Sequence, residues 1–519
     1  MFSTLTYKAA RATRTPWTES VLFALCALVA LLVFAQYDLL HAPLLHDMSL
    51  QMYSAQLIAR GLPPYVMVGL VKTPLTGIAG AGMILVGNLF GVWDVLAVRF
   101  GFWVLMGLGA GGMYLWARAL FASRWAGVLS ALTLISFSLI GSNAVLGPQP
   151  KTLVMVTAIY TLYFVARANW FWAGVMAALA FLTWQPAAIL LGIVWLMPLL
   201  DADGKRLPAL ARAIGGVTLP ILLLVVYLLA QQALSAALQD TFGANLAYLR
   251  NSDAQLPLTA RLLDNMARLG LRLRAPGCFD NNIVAGAGLG GVVAIAALAV
   301  LKAEPRAFLS RRVLPVFLYT LLFVGFTLVD FQVCNDLMPL APVLALGIGI
   351  WTMLLLKWLA SRLPANATAR VGAAYLSVVL YFLATSGPVW AVPPSQSIRL
   401  DDQLTEVQKI GARLAPDDQV QQLGDALVLV FLKKQNPTKL IFFGPKTGTG
   451  ILQQIPGGIG TVIRQLEDAP PRLITFSHFQ ESEWSQEFLR WVETHYTRTN
   501  SYELFPGKNS LLWIYVRKE

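Results

Sequence analysis

Apolar runs near the ~20 residues needed to cross a bilayer recur from Val21 to about Trp390, and they restrict the fold of this chain more than any other feature. Hydrocarbon offers no hydrogen bonds, so each such run must satisfy its own backbone, and a helix does so. The 519 residues are 57% hydrophobic and only 13% charged, against roughly 25% charged in soluble domains. The charges sit between the runs. After Pro393 the composition becomes that of a soluble domain. The expected fold class is a polytopic α-helical membrane protein with about eleven transmembrane helices, followed by a C-terminal soluble α/β domain. The expected division is 1–392 and 393–519.

Spans are expected at about 18–37, 97–117, 125–142, 152–167, 170–184, 186–200, 214–232, 282–301, 313–329, 339–356 and 371–392. Lys8, Arg11 and Arg14 before the first span put the N-terminus in the cytoplasm, as a retained tail rather than a cleaved signal. The short, glycine-rich segment 77–92 must then lie flat or re-enter. If it crossed, Arg118, Arg124 and the later basic loops would all fall outside. With it uncrossed, the basic loops 201–213, 302–312 and 357–370 share the cytoplasmic side. Segments 38–96, 143–151, 233–281 and 330–338 and the C-terminal domain then lie outside the cytoplasm of a multi-pass plasma (bacterial inner) membrane protein.

The net charge of +12 is explained by those basic loops. No basic patch interleaved with aromatics occurs, so no nucleic-acid partner is expected. Three cysteines exclude a disulfide scaffold and a cysteine-based zinc site, although a Cys278–Cys334 disulfide on the outer side stays open. In the C-terminal part, strands are expected at 420–424, 439–444, 472–477 and 511–518. Helices at about 426–434, 458–468 and 483–494 lie between them. The glycine-rich stretch 443–450 reads as a turn.

The loop after the first span concentrates chemistry. His46 and Asp47 precede a pattern (Leu50, Tyr53, Ala55, Leu57, Ile58) that suits an amphipathic helix lying on the membrane, with Asp47 or Ser49 as its cap. Asp47 reads either as that cap alone or as a general base facing a bound acceptor. Lys72 reads as a snorkelling side chain or as the counter-charge of a lipid phosphate. Gln149 and Lys151 open an inward span. A cation there opposes the helix dipole, a mismatch that an anionic ligand would repair. Asp330, Gln332, Asn335 and Asp336 crowd one short loop and should line a watery cavity or pair with one another. Arg272 and Arg274 lie on an outer segment, as an interfacial helix face or as ligands of a phosphate headgroup.

The series His46-Asp47, Tyr53, Ala55, Ile58, Gly61, Pro64-Tyr65, Lys72 and Pro74-Leu75-Thr76 resembles the first outer loop of bacterial GT-C glycosyltransferases. These are the polyprenyl-phosphate-sugar-dependent enzymes related to protein mannosyltransferases and aminoarabinose transferases. Thr183-Trp184-Gln185-Pro186-Ala187 is similar to that family's Thr-Lys-Gln-Pro stretch, and Asp336, Pro339 and Pro342 to its late proline-rich loop. The resemblance covers roughly residues 15–390. It implies transfer of a sugar from a polyprenyl-phosphate-linked donor, drawn from the membrane lipid, to a glycan, lipid or protein acceptor outside the cytoplasm. Asp47 would be the catalytic base. His46, Tyr53, Lys72, Gln149, Lys151, Gln185, Arg272, Arg274, Gln332, Asn335 and Asp336 would bind substrate. Val66-Met67-Val68, Gln149, Lys151 and Trp184 depart from the family pattern, which places acids or a lysine there. Too few carboxylates remain near Asp47 for an oxygen cage, so a divalent metal stays open as an alternative but no ligand for it, and no other cofactor, is assigned. A lipid or sugar transporter or flippase, and a catalytically inactive GT-C-like scaffold, are the alternative readings.

Overall fold

The computed structural model describes residues 16–137, 139–141, 146–200, 206–246, 257–273, 290–291, 310–331, 334–362, 369–370, 373–374, 377, 398–442, 447–477, 482–503 and 511–518. The first helices are α1 (Pro16–Phe34), α2 (His46–Ala59), α3 (Leu75–Leu89), α4 (Asp94–Phe121) and α5 (Arg124–Ile135). They are followed by α6 (Pro150–Ala166), α7 (Trp170–Phe181), α8 (Ala188–Leu200) and α9 (Arg206–Ala230), and later by Leu258–Leu273, Leu314–Val329 and Ala341–Arg362. Among the described residues, four helices are long and apolar enough to cross a membrane: Trp17–Tyr37, Asp94–Phe121, Arg206–Ala230 and Asn335–Arg362. Shorter apolar helices accompany them. The expected spans at 282–301 and 371–392 lie almost wholly outside the described residues, as do Cys278 and the domain boundary at 392/393.

Helices α1 and α4 carry exposed and buried faces for different reasons. Val21, Leu25, Leu28 and Leu32 of α1 are exposed at helical spacing, and so are Leu219, Leu222, Leu223, Val226 and Leu229 of α9. Apolar surface this continuous belongs in lipid. Between helices, small residues let backbones approach. Gly107 and Gly111 on one face of α4 sit against Leu31 and Phe23 of α1, while Gly109 and Gly112 face Val156 and Tyr160 of α6.

Two groups of contacts fix how the helices run. Glu19, in the first turn of α1, pairs with Arg118 near the end of α4 (2.6 Å) and with Arg124 at the start of α5 (3.1 Å), and accepts from Tyr114 Oη at 2.7 Å. At the opposite end, His41 Nδ1 lies 2.9 Å from Asp401 of the C-terminal part, and Asp94 at the start of α4 lies 3.1 Å from Lys433. Helices α1 and α4 are thus antiparallel. Helix α3, at 15 residues, is about 22 Å long. The loop leading into it donates from Gly69 N to the Lys439 carbonyl at 2.8 Å, and the loop leaving it packs Trp93 on Phe431. The loops before and after α3 therefore both meet the C-terminal part.

The C-terminal sheet has four strands, β1 (Val420–Leu423), β2 (Leu473–Phe476), β3 (Tyr496–Glu503) and β4 (Leu511–Arg517), in the order β1-β2-β4-β3. β1 and β2 are parallel, and the other pairs are antiparallel. β1, β2, β4 and the helices Leu427–Leu432, Gly458–Asp468 and Glu483–His495 lie where the pattern predicts. β3 and the helix Leu400–Gly411 were not expected. Residues 439–442, expected as strand, form none.

Helix α2 differs most from expectation. All ten residues from Met48 to Leu57 are buried, so α2 is a core helix and not an interfacial one. Its apolar side chains share a cluster with Leu427–Val430. Its polar ones bind the same part of the chain: Ser49 Oγ accepts from Ala426 N (3.0 Å), Tyr53 Oη accepts from Asn436 N (2.8 Å), and Gln56 Nε2 donates to Asp94 (2.9 Å) and to the Val430 carbonyl (3.2 Å). Neither Asp47 nor Ser49 caps the helix. Leu45 holds the N-cap position, with no side-chain hydrogen bond.

One buried cation ties the chain entering α2 to the chain entering α6. Arg99 of α4 is 1% exposed and donates to the carbonyls of Leu39 (2.9 Å), Ala42 (2.6 Å), Pro43 (3.2 Å) and Leu146 (2.9 Å). Stripping a buried carbonyl of its donor costs about 1–3 kcal/mol, so Arg99→Met should cost at least about 3 kcal/mol. Arg99→Lys should recover only part of that, because an ammonium lacks the planar fork. Thermal unfolding in detergent checks this; an unmoved Arg99→Met midpoint refutes it.

Candidate functional site

Asp47 sits in the first turn of α2, where a carboxylate complements the helix dipole. Its side chain is half exposed, and Lys72 Nζ lies 3.9 Å from its Oδ2. Lys72 is three-quarters buried, on a loop whose carbonyls are individually bound. The Val71 carbonyl accepts from Gln185 Nε2 and Asn245 Nδ2, both at 2.7 Å; the Lys72 carbonyl accepts from Tyr65 Oη at 2.7 Å. Thr73 Oγ1 donates to the Phe181 carbonyl at 3.1 Å, and Leu75 N to that of Leu182 at 3.0 Å. Irregular backbone beside hydrocarbon persists only when satisfied in this way. The loop therefore delivers the ammonium to a fixed place.

Asn245 and Gln185 also bind the carbonyl of Thr241, which belongs to a π-helical turn, Gln239–Gly243. Such turns are uncommon and cluster at functional sites. The turn carries the fully buried Asp240, paired with Lys439 at 2.9 Å, which links it to the C-terminal part.

Lys151 and Asp336 form a second pair. Lys151, in the first turn of α6, lies 2.5 Å from Asp336 Oδ1 on the 3-10 turn Cys334–Leu340, and both side chains are buried. The ammonium also stands 5.6 Å from the centroid of the Trp184 ring. The mismatch between a cation and the start of α6 is met here by the protein's own carboxylate. Removing one partner of such a pair leaves a buried charge. Lys151→Met is therefore expected to lower stability by about 3–5 kcal/mol, while Lys151→Met with Asp336→Leu should recover most of it. Thermal unfolding of the single and double variants tests this, and equal losses in both would refute it.

Electrostatics joins the two pairs. Burial pushes the Lys72 ammonium below the ordinary lysine pKa, the Asp47 carboxylate pulls it back up, and Lys151 and Asp336 act in opposite senses. Lys72 thus feels Asp47, Lys151 and Asp336 together.

The other expected site residues fall in different places. Gln149 is the N-cap residue of α6 and is buried. Gln185 holds backbone, as described. Tyr53 is buried, with its hydroxyl engaged by Asn436 N, so it braces α2 against the C-terminal part rather than facing the site. Asn335 is half-buried on the turn that carries Asp336. Gln332 and Arg274 lie outside the described residues, as do the side chains of His46 and Arg272. Among the described residues no three His, Cys, Asp or Glu side chains converge as metal ligands. Arg99 and Asn245 were not singled out from sequence, and Tyr65 entered only through the family resemblance. Arg99 carried a signal, since an ionisable residue inside an apolar run is functional or structural by default.

No family model and no curated protein sequence matches the chain. Solved structures do. ArnT from Cupriavidus metallidurans bound to undecaprenyl phosphate is 15% identical, with TM-score 0.56 over 96% of this chain and 98% of its own. The Archaeoglobus fulgidus oligosaccharyltransferase in complex with Zn and sulfate is 13% identical, with TM-score 0.55 over 95% and 73%. The arabinofuranosyltransferase AftD from Mycobacteria is 14% identical, with TM-score 0.53 over 96% of this chain and 40% of its own. The chain has the fold of the GT-C glycosyltransferases.

Proposed function

We propose that this protein is an integral membrane glycosyltransferase that takes a sugar from a polyprenyl-phosphate carrier and gives it to an acceptor on the extracytoplasmic side of a bacterial inner membrane. The carrying observation is the Asp47–Lys72 pair, a carboxylate and an ammonium 3.9 Å apart on the loop between α1 and α3. That structures of this fold include one bound to undecaprenyl phosphate and one bound to a dolichol-phosphate supports the donor class.

On this reading Asp47 takes the proton of the acceptor hydroxyl as its oxygen attacks the anomeric carbon. The bond from that carbon to the phosphate oxygen breaks, its electron pair stays with the polyprenyl phosphate, and the anomeric centre inverts. Lys72 holds the phosphate, where charge builds in the transition state. Lys151 is committed to Asp336 and acts at second remove. Arg272 and Arg274 belong to the proposal as phosphate ligands on their sequence position alone.

In proteoliposomes supplied with undecaprenyl-phosphate-linked hexoses and pentoses and lipid or peptide acceptors, the wild type should consume a donor. Asp47→Asn should lose at least about 100-fold in rate, the scale of a general base, while keeping its unfolding midpoint. Turnover by that variant at the wild-type rate would remove the base assignment. Binding of undecaprenyl phosphate with no turnover on any acceptor would favour the inactive scaffold.

The Lys72 role carries a pH signature. The charged ammonium binds phosphate, and its pKa is depressed in the free protein. Undecaprenyl phosphate affinity should therefore decline as pH rises through that depressed value, below the ~10.4 of an ordinary lysine, with proton uptake on binding. Lys72→Arg stays charged throughout. The phosphate's own ionisation is common to both proteins, so the affinity ratio isolates Lys72. A ratio constant between pH 7 and 10 would sink the assignment.

A further inference from the structure

Gln149 occupies the N-cap position of α6, yet its side chain makes no capping hydrogen bond. It is 1% exposed, and its Oε1 has no hydrogen-bond partner among the described residues. Thr152, three residues on and fully buried, likewise has an Oγ1 without a partner among them. Native proteins leave few buried polar atoms unpaired, and two at the head of one 17-residue helix mark a place where something else binds.

Their position connects them to Asp47. A Cβ placed on Gly147 would lie 3.3 Å from Cβ and Sδ of Met48, the residue after Asp47. The Leu146 carbonyl is held by the same Arg99 guanidinium that holds Ala42 and Pro43 ahead of α2.

The chemistry of the unpaired atoms selects the ligand group. An amide oxygen only accepts. Phosphate oxygens at neutral pH also accept, so Gln149 Oε1 does not read the phosphate. An ammonium only donates, so it would leave the Thr152 hydroxyl hydrogen without an acceptor. A hydroxyl fits, because it donates to Gln149 Oε1 and accepts from the Thr152 hydroxyl. We propose that Gln149, backed by Thr152, is a specificity-determining residue that accepts a hydrogen bond from a hydroxyl of the lipid-linked sugar. This rests on the function proposed above.

The test compares wild type, Gln149→Met and Lys72→Ala for binding of undecaprenyl phosphate alone and of undecaprenyl-phosphate hexoses with their deoxy analogues. Gln149→Met should weaken one hexose-bearing lipid about 3–10-fold, leave that hexose's critical deoxy analogue and the bare phosphate unchanged, and raise the ligand-free unfolding midpoint by removing an unpaired acceptor. A merely structural glutamine would lower that midpoint. Equal weakening of bare and sugar-bearing lipid, no weakening of any, or a lowered midpoint overturns the inference. A wild type that binds no sugar-bearing lipid better than the bare one overturns it too. Lys72→Ala reports separately: unchanged affinity for bare undecaprenyl phosphate would defeat the phosphate role while leaving the Gln149 result standing.

Discussion

Irregular backbone next to hydrocarbon must find every hydrogen bond within the protein, and the site is built from the devices that meet this demand. The Val71 carbonyl takes two amide donors, the Lys72 carbonyl takes a tyrosine, and the segment before α2 is spanned by one guanidinium. Gln403 adds a reciprocal pair with the backbone of Leu44, donating to its carbonyl and accepting from its N–H. Those bonds remove the freedom that would otherwise let Asp47 and Lys72 drift. The site's precision is a by-product of solvation: backbone that cannot reach water is held by side chains from α4, from the residues around 185 and 245, and from the C-terminal part.

The C-terminal residues are therefore not an appendage. Leu400, Val407 and Leu427–Val430 share a cluster with Met48, Leu50 and Tyr53, and Lys439 closes a buried pair with Asp240 on the π-helical turn. The second lies beside the loop that carries Lys72, because Gly69 N donates to the Lys439 carbonyl. The helix Leu427–Leu432, beside the sheet, packs on α2 and helps bury the helix that carries Asp47. The two units stabilise each other, and a change in one is expected to reach the site through the other.

How much of this was legible depends on how far away each partner lies. Long apolar runs announced most of the described helices within a few residues, because a bilayer-sized run has one economical backbone solution; Arg206–Ala230 starts eight residues before the expected 214, and Arg124–Ile135 ends seven before the expected 142. The expectation that segment 77–92 stays uncrossed came from the parity of charges. Helix α2 was misread because Ser49, Gln51, Ser54 and Gln56 look like a wetted face. The groups that bind three of α2's polar side chains, Ala426 N, Val430 O and Asn436 N, stand more than 370 residues away. β3 was missed because it is polar and forms the sheet edge, where the pattern of a half-buried strand fades. Residues 439–442 have strand composition, but their carbonyls go to Gly69 N, Gly424 N and the side chains of Gln421 and Asn436. In the site, the residue types Asp47, Lys72, Lys151 and Asp336 were readable one by one. That Lys151 and Asp336 answer each other was not, because they are 185 positions apart.

Charge arithmetic shows why this small set suffices for the proposed reaction. The donor phosphodiester carries one negative charge, and the departing polyprenyl phosphate approaches two. Asp47 begins with one and ends with none once it holds the acceptor's proton. Net charge in the site is conserved, and what moves is its position, from the base toward the phosphate. A cation placed between the two ends interacts favourably with the reactant and with the product. Its advantage is that it need not change protonation or travel far during the step. Lys72 is at the right distance from Asp47 for that: 3.9 Å is looser than a tight ion pair, so the ammonium is not locked to the base. The pairing of Lys151 with Asp336 serves the same end. A neutral pair with a fixed dipole adds orientation without adding net charge.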